Sequence, residues 1–199
     1  HRLVEPARAA VADHRELALR LPGDPLTPHR LASALVTQVM AESRAGIDPR
    51  AAATEAIELT RLGAERFPDE PSYRVQLAQL DLLIGAIALG VGDPCVPPLE
   101  SALARFEALE AERRGLFAWE LSFSEGLLAQ CRHEEGGDAV ALLERSRARM
   151  REARESLAGR GPELVEGAAL LLLAELDRDG ARFRIERMDE AADLLRRVT

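Results

Sequence analysis

The residues best suited to hold a metal lie around position 131, where Cys131 is followed by His133, Glu134 and Glu135. Thiolate, imidazole and carboxylate groups are all metal ligands. A structural zinc site, however, holds four ligands with paired spacing, and the second cysteine, Cys95, is remote in the sequence. The pattern predicts no metal, and we expect Cys131 to be a small buried side chain.

Residues that serve catalysis or cofactor binding in other proteins lack the required spacing here. Gly90 and Gly92 form a lone Gly-x-Gly that follows no predicted strand, so no dinucleotide-binding unit is expected. Carboxylate pairs such as Glu107 and Glu110 have arginine neighbours at helical spacing, which is typical of solvated ion-pair faces. The sequence therefore predicts that the chain is not an enzyme and binds no cofactor.

An arginine-rich segment follows position 144. Arg147, Arg151 and Arg154 would share one face of a helix at spacings of i, i+4 and i+7. Acidic residues dilute this charge, and a solvated face is the favoured interpretation. The alternative is a docking surface for an acidic or phosphorylated partner, since the arginine guanidinium suits such groups.

The main aromatic cluster contains Phe117, Trp119 and Phe123. Trp119 and Phe123 are one helical turn apart and should share a face. Core packing is the favoured role, and an exposed Trp119 that anchors a partner is the alternative.

The longest predicted connection runs from 90 to 98 and is rich in Gly and Pro. Cys95 and Val96 are expected to be partly exposed on it. A simple helix stop is the favoured interpretation, and a contact loop is the alternative.

Composition limits the function classes further. The net charge of −8 argues against nucleic-acid binding, which usually needs a basic surplus. No stretch reaches 18 apolar residues, so no membrane insertion is expected. Two cysteines make no disulfide framework, which favours a reducing cytoplasm. All 26 basic residues are arginine and the chain has no asparagine, which suggests a GC-rich bacterial genome.

Helical periodicity broken by Pro and Gly predicts an all-α protein of about nine helices. The expected ranges are 3–21, 28–45, 49–66, 71–89, 97–113, 115–134, 137–159, 162–178 and 181–198. Their short connections require antiparallel neighbours and leave no linker between domains, so 1–199 is predicted to be a single domain.

The sequence repeats itself at an offset of 46 residues. Arg20-Leu-Pro-Gly-Asp-Pro25 matches Arg66-Phe-Pro-Asp-Glu-Pro71 at this offset. A small residue on each helix would let its neighbour approach closely. The predicted close-approach positions are Ala10, Ala32, Ala56, Ala78, Ala102 and Ser124. One helical hairpin cannot bury its apolar face alone, so hairpins at this interval are expected to stack.

These residues resemble the tetratricopeptide repeat, of the kind appended to bacterial Ser/Thr protein kinases and other signalling proteins. Leu77-Ala78, Gly85 and Ala102-Leu103 follow the family's order of large, small, Gly and Ala positions. The period of 46 is longer than the family's 34 and also falls within the range of HEAT and armadillo repeats. The resemblance implies a right-handed solenoid of stacked antiparallel hairpins.

The resemblance also implies that the first helix of each hairpin lines a concave groove that receives peptides. The residues carried over by position are His29, Ser33, Val36, Thr37, Ser72, Val75, Gln79, Leu82, Leu121, Glu125 and Leu128. They form a mixed apolar and polar surface with little charge. The chaperone-tail clamp of this family uses Asn and Lys, and this chain has neither.

Two functions remain open from the sequence. The leading hypothesis is a scaffold that binds a protein or peptide partner, as the regulatory part of a larger bacterial signalling protein from which this chain is a fragment. The alternative is a sensor with a small-molecule pocket, to which Ser33, Thr37 and Gln79 would contribute. An unpaired terminal helix could also mediate a homodimer.

Overall fold

The computed structural model describes the backbone of residues 3–156 and the side chains of residues 3–149 and Arg151. This part of the chain is all-α and contains no strand, which confirms the predicted fold class. The predicted helices 162–178 and 181–198 lie outside the described residues, so seven helices are described instead of about nine. They are α1 (Val4–Arg20), α2 (Leu26–Arg44), α3 (Arg50–Arg66), α4 (Ser72–Val91), α5 (Val96–Glu112), α6 (Ala118–Glu134) and α7 (Val140–Ser156).

An acidic side chain two residues before the first helical residue marks the start of four helices. The carboxylate of Asp48 accepts the backbone N–H of Arg50 at 3.0 Å, and that of Asp138 accepts the N–H of Val140 at 3.0 Å. Asp24 and Glu70 do the same at the starts of α2 and α4. Because the first N–H groups of a helix have no internal partner, these carboxylates fix where each helix begins.

Glycines at positive φ, Gly46, Gly92 and Gly136, end three of the described helices. Gly46 has a φ of 70° and Gly136 has a φ of 79°, a conformation that costs glycine little. The N–H of the following residue then bonds back to a carbonyl five positions earlier, as from Gly137 to Arg132 at 2.7 Å. This bond satisfies carbonyls that would otherwise be free at the helix end and stops the helix there.

The described residues group into two compact units, one ending at Ile87 and the other beginning at Ala88. In unit 1, α2 packs against both α1 and α3. The core of unit 1 is formed by aliphatic side chains from α1 to α4, with a smaller cluster at one end of α1 and α2. Its central members are Val11, Leu35, Val39, Ala56 and Leu80.

Small residues at the repeat interval are buried as predicted, with one exception. Ala32, Ala56, Ala78, Ala102 and Ser124 all have 0% exposure. The prediction for Ala10 is wrong, because this side chain is exposed. The main packing partner of α1 is α2, and α1 buries Val4, Ala7 and Val11, whereas Ala10 lies on its exposed side.

A tyrosine and a glycine fit together where α3 meets α4. Tyr73 is fully buried, stacks on Phe67 at 6.4 Å between ring centroids, and donates its hydroxyl to the carbonyl of Pro25. Its ring occupies the space where a Cβ on Gly63 would lie. The absence of a side chain at Gly63 therefore lets α4 approach α3 at this point.

In unit 2, α6 packs against both α5 and α7. The hydroxyls of Ser122 and Ser146 lie 2.8 Å apart and each also bonds to the other residue's carbonyl, so α6 and α7 are joined by a buried, fully satisfied polar pair. Cys95 and Cys131 are paired as a disulfide between α5 and α6. The sequence analysis, which found too few cysteines for a disulfide framework, did not anticipate this bond, although Cys131 is buried as expected.

The order of packing in each unit is compatible with a helical repeat, since consecutive antiparallel helices lie side by side.

Candidate partner-binding surfaces

In unit 1 a buried glutamine joins the two helices predicted to line a groove. The Gln76 side chain donates to the hydroxyl of Ser33 at 2.9 Å and to the carbonyl of His29 at 3.2 Å. Its carbonyl oxygen lies 3.1 Å from His29 Nδ1 and accepts a bond from Thr60 at 3.2 Å. Every polar atom of this amide has a partner, so Gln76 holds α4 beside α2 and α3 without leaving a buried polar atom of its own unpaired.

The four α2 candidates divide into surface and core positions. Ser33 and Thr37 are exposed, and each hydroxyl also bonds back to the carbonyl one turn earlier. Val36 is half-buried and packs against the core cluster. His29 is half-buried, bonds to Gln76 and makes an edge contact with Tyr73, so its ring contacts the interior of unit 1 as well as the surface.

The four α4 candidates include one fully exposed residue. Gln79 is exposed, while Ser72, Val75 and Leu82 are half-buried. Ser33 and Thr37 on α2 and Gln79 and Leu82 on α4 therefore give unit 1 an accessible face of neutral polar and apolar groups. We call this the α2/α4 face.

The three α6 candidates lie in a different environment. Leu121, Glu125 and Leu128 are at most 1% exposed, instead of on an open surface as expected. The reason is that this side of α6 faces α7, whose Arg145 and Arg149 contact Glu125, whereas Ser33 and Thr37 lie on a side of α2 that its neighbours leave exposed. Their predicted contact with a partner is not tested by this burial, but it would require α6 to be uncovered.

Glu125 is the most unusual of these residues, because a carboxylate rarely has 0% exposure. Arg145 Nε lies 3.1 Å from one carboxylate oxygen, and Arg149 Nε lies 3.2 Å from both. Burial raises the pKa of Glu125, while the charges and hydrogen bonds of Arg149 and Arg145 act to lower it. Arg145 and Arg149 therefore hold α7 to α6 through the charged carboxylate of Glu125. Removal of these arginines would leave that carboxylate buried without an opposite charge.

Arg149 also borders a cavity of about 400 Å³ in unit 2. The other lining residues are Glu107, Glu110, Ala111, Arg114 and Leu121. Arg149 reaches Glu107 at 3.7 Å, and the Glu110 carboxylate accepts the backbone N–H groups of Gly115 and Phe117. The cavity therefore combines an apolar floor with guanidinium and carboxylate groups around its edge.

The arginines predicted to dock an acidic partner are only partly placed. Arg151 is exposed and Arg147 is half-buried, and both have interactions within the protein. The side chain of Arg154 lies outside the described residues. Sequence reasoning passed over Arg145 and Arg149, which contact Glu125, because spacing along one helix does not show which arginines face a neighbouring acid.

The aromatic pair on α6 is stacked and partly exposed. The rings of Trp119 and Phe123 are nearly parallel, with centroids 6.1 Å apart, and Phe123 is 38% exposed. Nearby in sequence, Leu116 is 58% exposed, whereas Phe117 is buried against Phe106. Core packing, the favoured interpretation, holds for Phe117 and only in part for Trp119 and Phe123.

The connection before α5 differs from expectation. Cys95 was predicted to be partly exposed and is only 4% exposed, because its sulfur is bonded to Cys131. Val96 is half-buried and begins α5. Within the described residues no group of three His, Cys, Asp or Glu side chains could hold a metal ion.

By length and composition, α4 is the one described helix that could cross a membrane. Its side chains Tyr73, Gln76 and Leu80 are buried within unit 1. Of its most apolar window 28% is buried in the described structure, so the expected absence of membrane insertion stays a prediction.

No family model, curated protein or solved structure matches this chain.

Proposed function

We propose that this chain is a protein-interaction scaffold that binds an extended peptide or a protein partner along the α2/α4 face, within a tetratricopeptide-like stack of hairpins. The observation that carries the proposal is the position of Gln76. It joins the first helices of two successive hairpins side by side, which is how a helical repeat builds a continuous binding surface.

The chemistry of the face suits a peptide. Ser33, Thr37 and Gln79 offer hydroxyl and amide groups, and the half-buried Leu82 offers apolar area. None of these four side chains is charged. A partner would then be held by hydrogen bonds and apolar contact, with weak dependence on salt. The proposal assigns no catalytic role to the chain.

The test is a peptide array probed with the purified chain, followed by affinity measurement on the enriched peptides. The variant Thr37→Arg/Gln79→Arg places two bulky charged side chains on the face and should weaken binding by about tenfold or more, which is ~1.4 kcal/mol. The matched control is Ala51→Arg/Thr54→Arg, which adds the same charge at exposed positions of α3. The control should bind like the wild-type chain.

Two outcomes would contradict this proposal. One is an array on which no peptide is enriched. The other is equal loss of affinity in the variant and the control, with both retaining wild-type circular dichroism, since the α2/α4 face would then have no special role.

The second candidate function, ligand sensing, is favoured by the cavity in unit 2, although Ser33, Thr37 and Gln79, the residues predicted to contribute to a pocket, do not line it. Its volume of about 400 Å³ falls within the size range of small-molecule sites. A ligand that binds the folded state would raise the melting temperature of the chain, and a thermal-shift screen would detect this rise. Arg114→Ala, which removes an exposed lining group, should abolish that rise without changing the melting temperature of the free protein.

The wider context, a larger bacterial signalling protein, is a proposal supported by composition and by the family resemblance, whereas the bond between Cys95 and Cys131 weakens the argument for a reducing cytoplasm. The paired cysteines make the redox state of the compartment a property worth measuring directly.

A further inference from the structure

Two cysteines that are distant in sequence meet at one end of unit 2. Cys95 directly precedes α5 and Cys131 lies in the last turn of α6, at a sequence separation of 36. Their Cα atoms are 6.1 Å apart, within the range that a disulfide needs. The bond therefore ties the start of α5 to the end of α6, two helices that also pack along their length.

The surroundings of the pair indicate a structural bond instead of a catalytic one. Cys95 is 4% exposed and Cys131 is 0% exposed, whereas reactive cysteines are accessible and usually lie near positive charge. Gly92, Asp93 and Pro94, which lead into Cys95, are exposed. Local opening of this short connection is the nearest route by which a small thiol could reach the sulfur atoms.

We propose that Cys95 and Cys131 form a redox-dependent clasp that sets the stability of unit 2 and leaves unit 1 unaffected. The whole chain has only these two cysteines, so unit 1 contains none. In an oxidising compartment the clasp is closed permanently. In a reducing compartment the same pair makes unit 2 respond to the thiol–disulfide balance.

The oxidant is a small-molecule disulfide such as oxidised glutathione. The thiolate of one cysteine attacks a sulfur of that disulfide and releases one glutathione thiolate, which leaves a mixed disulfide on the protein. The second cysteine, after losing its proton, attacks the protein sulfur of the mixed disulfide and releases the second glutathione. One protein disulfide and two glutathione thiols result, and both electrons have passed to glutathione.

The first experiment measures the bond. The wild-type chain is equilibrated with oxidised glutathione, unfolded, alkylated and weighed by mass spectrometry, with a parallel sample reduced in denaturant. We expect no alkylated cysteine in the oxidised sample, two in the reduced one, and a monomer on a non-reducing gel. Two free thiols after oxidation, or a disulfide-linked dimer, would overturn the proposal.

The second experiment locates the effect. Reduction should lower the melting temperature of unit 2 by about 10 °C, because the bond closes a loop of moderate length in the unfolded chain. Hydrogen exchange should quicken in peptides from α5 and α6, while peptides from α2 and α3 stay unchanged. Equal exchange in the oxidised and reduced samples would show that the pair has no such role.

The matched control is Cys95→Ala/Cys131→Ala. It should behave like the reduced wild-type chain whether or not reductant is present. If reductant destabilises this variant as much as the wild type, the effect does not come from the clasp. The readouts on unfolding and exchange are independent of peptide binding, so failure here and failure of the proposed scaffold function are distinguishable.

Discussion

Units 1 and 2 fasten their helices by different means. In unit 1 the central buried polar group is the neutral amide of Gln76, whose donors and acceptor are all paired. In unit 2 it is the carboxylate of Glu125, held by Arg145 and Arg149, with a disulfide at one end. A neutral amide does not titrate or change oxidation state. The disulfide should therefore make unit 2 respond to redox conditions, whereas both units contain groups with a shifted pKa: Glu125 in unit 2, and Asp24 in unit 1, whose pKa is lowered by hydrogen bonds from Thr27 and Leu26.

The difference also bears on where a partner binds. The α2/α4 face remains exposed, because Gln76, which joins the two helices, is buried beneath it. The corresponding α6 residues of unit 2 lie under α7 instead. The same repeat interval therefore gives an accessible face in one unit and a covered one in the other.

The largest expected effect is loss of the arginines around Glu125. The variant Arg145→Ala/Arg149→Ala leaves a buried carboxylate without compensation and should lower the free energy of unfolding by about 3 kcal/mol at neutral pH. This loss is at the low end of the range for breaking a buried ion pair, because both arginines are also in contact with water. Urea unfolding measures the loss.

A third substitution decides whether charge is the cause. Adding Glu125→Gln to that variant removes the stranded charge and should recover most of the lost stability. If the triple variant is no more stable than the double variant, the arginines act by packing alone. The proposed contrast between the charged Glu125 of unit 2 and the neutral Gln76 of unit 1 would then be wrong.

An intermediate effect is expected from paired glycine substitutions. Gly63→Ala in unit 1 forces a methyl group into the ring of Tyr73 and should cost about 2 kcal/mol. Gly126→Ala in unit 2 meets only the Ser146 hydroxyl, at 3.8 Å, and should gain about 0.5–1 kcal/mol from helix propensity. Thermal unfolding of both variants measures this contrast. Similar results for the two would show that the Tyr73 contact is not tight.

The smallest effect is a dependence on pH. The pKa of Glu125 is raised above its ordinary value of 4.5, so the folded state binds this proton more readily than the unfolded state does. The stability that protonation contributes is present at low pH and is lost as the pH rises through the raised pKa. The wild-type chain should therefore lose stability relative to Glu125→Gln as the pH rises above 4.5, at ~1.4 kcal/mol for each unit of pKa difference.

The stability difference between the two proteins is measured because it isolates the contribution of Glu125. Burial, together with the charge of Glu110, also raises the pKa of Glu120, and both proteins share that contribution. A constant difference between wild type and Glu125→Gln from pH 4 to pH 8 would show that Glu125 has the same pKa folded and unfolded.

Local signals in the sequence predicted most of the fold. The helix expected at 28–45 spans Leu26–Arg44, and the one expected at 49–66 spans Arg50–Arg66. Such agreement follows because an acidic residue before the first turn and a glycine after the last one act within a few residues. The largest differences among helix starts are three residues, at α6, expected at 115 and found at Ala118, and at α7, expected at 137 and found at Val140. At α6 the carboxylate of Glu110 holds the N–H groups of Gly115 and Phe117 in the preceding turn.

For the described residues, the sequence by itself determined the all-α class, the helix limits to within three residues and five of the six predicted buried small residues, because these depend on periodicity and local hydrogen bonding. Only the tertiary structure decided that Cys95 meets Cys131, that Glu125 lies between Arg145 and Arg149, and that α6 is covered where α2 is open. Those outcomes depend on which helix faces are brought together. Apolar residues occur on several sides of a helix such as α6, so its own pattern does not show which sides its neighbours will cover.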